Sequence, residues 1–146
     1  MKVAQLMTRR VPAVREDVPV REFVRALYQE SPGTSGLPVV DPEGHVVGFI
    51  SERDVIEAAL PDYLDLLQSE AIWPEVEQFS QKLREVAEEP VRSYMRTDVV
   101  KVTEEEDDLY VAELMIRRGL KALPVVDAEG RLTGLVRRID LLKGML

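Results

Sequence analysis

The sequence predicts an α+β fold made of one unit used twice, with a helical insertion between the two copies. Three observations carry this. Leu37-Pro38-Val39-Val40-Asp41 recurs as Leu123-Pro124-Val125-Val126-Asp127. A turn, two glycines and an aspartate follow each block, Gly44, Gly48 and Asp54 in one copy and Gly130, Gly134 and Asp140 in the other, every matching pair 86 positions apart. Ahead of each block runs an apolar stripe at helical spacing. Two copies of one unit are expected to pack as a pseudo-symmetric body, and their shared cleft is where function is sought.

The elements of the first copy read in order. Val11 to Val14 is a short extended segment. Val20, Phe23, Val24, Leu27 and Tyr28 recur at i, i+3, i+4, i+7 and i+8, so they form one stripe of a helix. Ser31-Pro32-Gly33 breaks it. Leu37 to Val40 is a strand, Asp41 to Gly44 a hairpin turn with glycine where φ must be positive, and Val46 to Ile50 the partner strand. Ser51 then opens a helix that Pro61 stops. The second copy repeats this order, with Val99 to Val102 as its first strand, Val111, Ala112, Met115 and Ile116 as the helix stripe, and Asp140 to Leu146 as the last helix. The helices match at an offset of 88, the later blocks at 86, because the first copy has two extra residues between helix and strand. The copies span 1–60 and 91–146. Residues 61–90 match nothing else and read as one or two amphipathic helices that pack on the domain or on a second copy. They carry eight acidic and two basic residues.

Composition excludes several classes of function. A length of 146 residues suits one compact unit, and folding such a chain buries roughly 70% of its extended surface. With no cysteine and one histidine, there is no thiolate zinc site and no histidine-rich metal site. No P-loop, GxGxxG or nucleophile elbow is present, so no catalytic residues are assigned and the chain is expected not to be an enzyme. A net charge of −8 argues against nucleic-acid binding. No apolar run nears the roughly 20 residues that span a bilayer, so no membrane partner is expected and the location expected is cytoplasmic.

The strand-to-helix junctions carry the chemistry. They read Gly48-Phe49-Ile50-Ser51-Glu52-Arg53-Asp54 and Gly134-Leu135-Val136-Arg137-Arg138-Ile139-Asp140. A helix start offers free N–H groups to an anion, and an aspartate there can accept two ribose hydroxyls. Glycine on the strand would let a planar base approach the backbone. Ser51-x-x-Asp54 is equally a capping box. Both readings stand for the first junction. In the second, Arg137 removes the capping hydroxyl while Asp140 remains. His45 reads as a solvated turn residue, and Glu104 to Asp108 as the loop and first turn of a helix.

On these residues the chain resembles the tandem of cystathionine-β-synthase (CBS) domains, or Bateman module. The resemblance covers everything except 61–90. It implies β-α-β-β-α repeats about a pseudo-two-fold axis, regulatory binding of an adenosyl ligand (AMP, ADP, ATP, NAD or S-adenosylmethionine), no other cofactor, no metal, and a homodimer. A separately encoded protein partner would read the ligand-induced change. The family's G-h-x-S/T-x-x-D motif falls fully on the first copy: Asp54 for the ribose hydroxyls, Ser51 for a phosphate or ribose oxygen, Ile50 for the base pocket and Arg53 for phosphate. The same pocket would borrow Val99, Val100, Ser35, Gly36, Lys121 and Ala122. A second pocket would use Asp140, Val136, Arg137, Val11 and Pro12. There the motif is broken, and Arg137 either clamps phosphate or fills the space. The rival reading is a structural or protein-interaction module with degenerate pockets.

Overall fold

The computed structural model describes residues 1–60 and 76–146. The part of the insertion read as helical between 61 and 75, with Tyr63 and Trp73, lies outside the described residues. The chain begins with helix α1 (Val3–Leu6). The first repeat follows as β1 (Val14–Arg15), α2 (Val20–Glu30), β2 (Gly36–Val40), β3 (Val46–Ser51) and α3 (Glu52–Ala59). Helix α4 (Val76–Ala87) and a 3-10 turn (Val91–Ser93) lead into the second repeat. It holds β4 (Val102–Thr103), α5 (Asp108–Arg118), β5 (Ala122–Val126), β6 (Leu132–Arg137) and α6 (Arg138–Met145).

Each repeat makes a three-stranded sheet, in the orders β1-β2-β3 and β4-β5-β6. The first pair in each sheet is parallel and the second is an antiparallel hairpin. Leu37 faces Ile50 in one hairpin and Leu123 faces Val136 in the other, and both ladders shift register at the second valine of the Pro-Val-Val run. The hairpin turns close on Gly44 (φ +91°) and Gly130 (φ +85°), a conformation that a Cβ would strain. The two turns meet. Val46 N–H donates to the Gly130 carbonyl at 3.1 Å and Leu132 N–H to the Gly44 carbonyl at 2.9 Å.

Two hydrophobic cores sit between helices and sheets. The first contains Phe23, Leu27, Leu37, Val39 and Ile50, and the second Val111, Leu114, Met115, Leu123 and Val136. Their lead-in segments are crossed. Val3, at the start of the chain, is buried in the second core, while Val86 and Val91, which precede the second repeat, are buried in the first. The crossing is fixed by backbone bonds: Thr8 pairs with Leu135 and Arg96 with Phe49, each through two N–H···O bonds of 2.8–2.9 Å.

Two expectations need correction. The first strands are two-residue strands at Val14–Arg15 and Val102–Thr103, displaced from Val11 to Val14 and Val99 to Val102, because only the stretch beside Val39-Val40 or Val125-Val126 has a ladder partner. The helix stripes are narrower than their apolar spacing. Val24, Tyr28 and Ile116 are exposed, and a three-stranded sheet is covered by Val20, Phe23 and Leu27 on α2 and Val111, Leu114 and Met115 on α5. In the insertion, α4 packs Val86 fully into the first core, with Leu83 partly buried against it.

Candidate functional site

Strand β3 alternates its burial, with Ile50 inside and Phe49 and Ser51 on the opposite face. That places Ser51 at the start of α3 and Asp54 in its first turn. Capping is complete. Oδ2 of Asp54 accepts from Ser51 N–H and from Ser51 Oγ, both at 2.9 Å, and Asp54 N–H donates to Ser51 Oγ at 3.2 Å. The other oxygen, Oδ1, accepts from Arg96 Nε at 3.2 Å. Asp54's side chain is only 7% exposed, whereas Arg96 is 60% exposed.

Asp54 nevertheless borders open space. A cleft of about 1230 Å³ runs between the repeats. Ser35, Gly36, Phe49, Ser51, Arg53 and Asp54 line it from the first repeat, and Lys121, Ala122, Pro124 and Arg137 from the second. Arg96, Val99 and Val100 line it from the crossed lead-in segment. Capping and an outward-facing role are therefore compatible in one carboxylate. Arg53 lies at the rim, 76% exposed, with its Nε held by Glu57 Oε1 at 2.6 Å. That hydrogen bond keeps its guanidinium pKa above the ordinary arginine value.

The second junction is built differently. Asp140 accepts from Arg137 N–H at 2.8 Å, so the backbone half of the cap survives without a serine. Arg137 then folds over the carboxylate, Nε to Oδ2 at 3.1 Å and Nη2 to Oδ1 at 3.0 Å, and Thr8 Oγ1 reaches Oδ1 at 3.4 Å. Asp140 is 2% exposed. The hydrogen bond to Asp140 likewise raises the pKa of Arg137 above its ordinary value.

Several residues expected in the pocket from the sequence sit elsewhere, and the first is Ile50. It and Val136 belong to the two cores with no exposed surface, because strand alternation turns them away from the cleft. Phe49, one residue earlier, takes the cleft position instead. Asp140, Val11 and Pro12 were expected in a second pocket, and they do not line this first cleft. Gly48 and Gly134 make room for protein, not for a base. A Cβ on Gly48 would sit 2.6 Å from Met95 Sδ and 2.8 Å from the Arg96 carbonyl, and one on Gly134 would sit 2.5 Å from Met7 Cε and 2.8 Å from the Thr8 carbonyl. Arg96 is the residue that sequence reasoning missed. Its only signal was its place 88 positions after Thr8, in the same relation as the two helix stripes.

Comparison with known proteins agrees with this architecture. A family model described as the CBS domain matches residues 3–61 and again 91–146. The chain belongs to the CBS-domain family. An uncharacterized protein of Methanocaldococcus jannaschii is 31% identical over 146 residues, covering 91% of this chain and 84% of the relative. Another protein of that organism, similar in structure, superposes at a TM-score of 0.79 with 26% identity, over 99% of this chain. This CBS pair spans only 48% of that structure, and 54% of a similar one from Pyrococcus horikoshii. The cytosolic domain of the Mg2+ channel MgtE, solved in complex with ATP, is 31% identical with a TM-score of 0.66, over 94% of this chain and 46% of that one. The fold is also that of CBSX2 solved in complex with AMP, at 23% identity and a TM-score of 0.74, over 99% of this chain and 95% of that one.

Proposed function

We propose that this CBS pair is a non-catalytic regulatory module that binds an adenosyl nucleotide in the cleft between its repeats. The observation that carries the reading is the state of Asp54. One oxygen is committed to the helix start, and the other, on a residue that lines the cleft, holds a single side-chain bond from a largely exposed arginine. Vicinal ribose hydroxyls can replace that arginine, which is then free to meet phosphate. The MgtE domain solved with ATP lends support, since it shares the fold at 31% identity.

The cleft also favours one part of the ligand class. Six basic residues line it (Arg53, Arg96, Arg118, Lys121, Arg137 and Arg138), against four acidic ones, in a chain of net charge −8. Among the described residues, Arg118 and Lys121 have no ion-pair partner. A local positive field selects anions whatever the net charge. The ligand we propose is therefore a phosphorylated adenosine nucleotide, in preference to the cationic S-adenosylmethionine. Binding would shift the population of repeat arrangements by the difference in affinity between them, for a separate partner to read.

Titration calorimetry with AMP, ATP, NAD and S-adenosylmethionine tests this. Saturable binding of the phosphorylated ligands, lost in Asp54→Ala, is the expected result. A folded chain that binds none of them would leave the interaction-module reading in its place.

A further inference from the structure

The two buried aspartates are held by the same chemistry, delivered from opposite positions. At Asp54 the cap residue supplies the hydroxyl (Ser51) and the crossed lead-in strand supplies the guanidinium (Arg96). At Asp140 the cap residue supplies the guanidinium (Arg137) and the lead-in strand supplies the hydroxyl (Thr8). Both partner pairs sit at equivalent sites in the duplicated fold, since Thr8 and Arg96 occupy matching bridges to Leu135 and Phe49.

The exchange makes the two sites unequal. Arg96 reaches one oxygen through one N–H and is 60% exposed, so rotation of its own side chain uncovers Asp54. Arg137 covers both oxygens of Asp140 through two N–H groups, and its own backbone N–H binds the same carboxylate. It cannot withdraw without breaking a bidentate, charge-assisted pair. Doing so would also leave a carboxylate that is 2% exposed with no countercharge, held only by the Arg137 N–H and Thr8 Oγ1.

We infer that this chain takes up one nucleotide, on the Asp54 side, and that Arg137 is a fixed stopper of the Asp140 side. Arg137 thereby determines the stoichiometry of the module. This rests on the nucleotide-binding reading above and goes beyond it.

Calorimetry with AMP and ATP as probes tests it on the full chain. The expected stoichiometry is one per chain. Asp54→Asn should then remove binding altogether, weakening it at least ~100-fold through loss of two hydrogen bonds to a charged acceptor. The double variant Thr8→Arg/Arg137→Ser gives Asp140 the partner set of Asp54 and should raise the stoichiometry to two. Two nucleotides per wild-type chain would overturn the inference, as would half of the binding surviving in Asp54→Asn. So would a folded double variant that still takes up one. The Asp54→Asn arm decides the matter even where the double variant does not fold. Failure of the wild-type chain to bind either probe would overturn the functional reading itself, and this inference with it.

Discussion

At the scale of single residues, close approach and burial decide more than residue type. Gly48 illustrates this, because its missing side chain is the space that the Met95 side chain and the Arg96 carbonyl occupy. Gly48→Ala should cost about 1–3 kcal/mol by overpacking and also displace Arg96 from Asp54. Urea unfolding would measure the first effect and nucleotide affinity the second. Tyr94 is a second case. Burial, reinforced by its hydrogen bond to Glu89 Oε2 at 2.6 Å, pushes its phenol up to about 12. A group whose folded pKa is raised favours folding below its unfolded value of 10.0 and loses that contribution as pH climbs towards 12. Ultraviolet titration should find a late-ionising tyrosine that is absent from Tyr94→Phe. The Ser51-Asp54 relation was legible in the sequence as a capping box. Arg96 was not, because nothing local links residues 42 positions apart.

At the scale of elements, helical and strand periodicity placed every repeated helix and hairpin, but not how wide a face each one buries. Phe23 is wholly buried on α2, whereas Tyr28, on the same apparent stripe, is exposed. Phe23→Ala should therefore destabilise the chain by about 3–5 kcal/mol. Tyr28→Ala should stay within about 0.5 kcal/mol in the isolated chain. Thermal unfolding of the two variants would separate them. The misplacement of Ile50 has the same origin. The motif names the position, but strand alternation and the depth of the core decide which neighbour reaches the cleft, and that residue is Phe49.

At the scale of the molecule, the crossed lead-in segments make each repeat depend on residues that precede the other. Val3→Ala should cost roughly 2 kcal/mol and loosen β5 and β6 ahead of β2 and β3. Val91→Ala should do the reverse. Hydrogen exchange resolved by strand would show the order, and equal loosening of both sheets would contradict the crossing. We also propose a homodimer, supported by exposed apolar residues on α2 (Val24, Tyr28) and α5 (Leu109, Tyr110, Ile116). Sedimentation should give twice the chain mass, and Tyr28→Glu/Ile116→Glu should halve it.

The sequence alone determined the duplication, which shows as blocks that match 86 positions apart, and the order of elements, the hairpin turns and the two aspartates at helix starts, which neighbours within one or two turns of chain encode. Only the tertiary structure decided which lead-in segment crosses to which sheet, and so which distant side chain reaches each aspartate. Those contacts join residues 42 positions apart at Asp54 and 132 apart at Asp140, and only packing of the two cores brings them together. Arg137 lies only three residues from Asp140, and there it is the side-chain rotamer, not the spacing, that closes the guanidinium over the carboxylate.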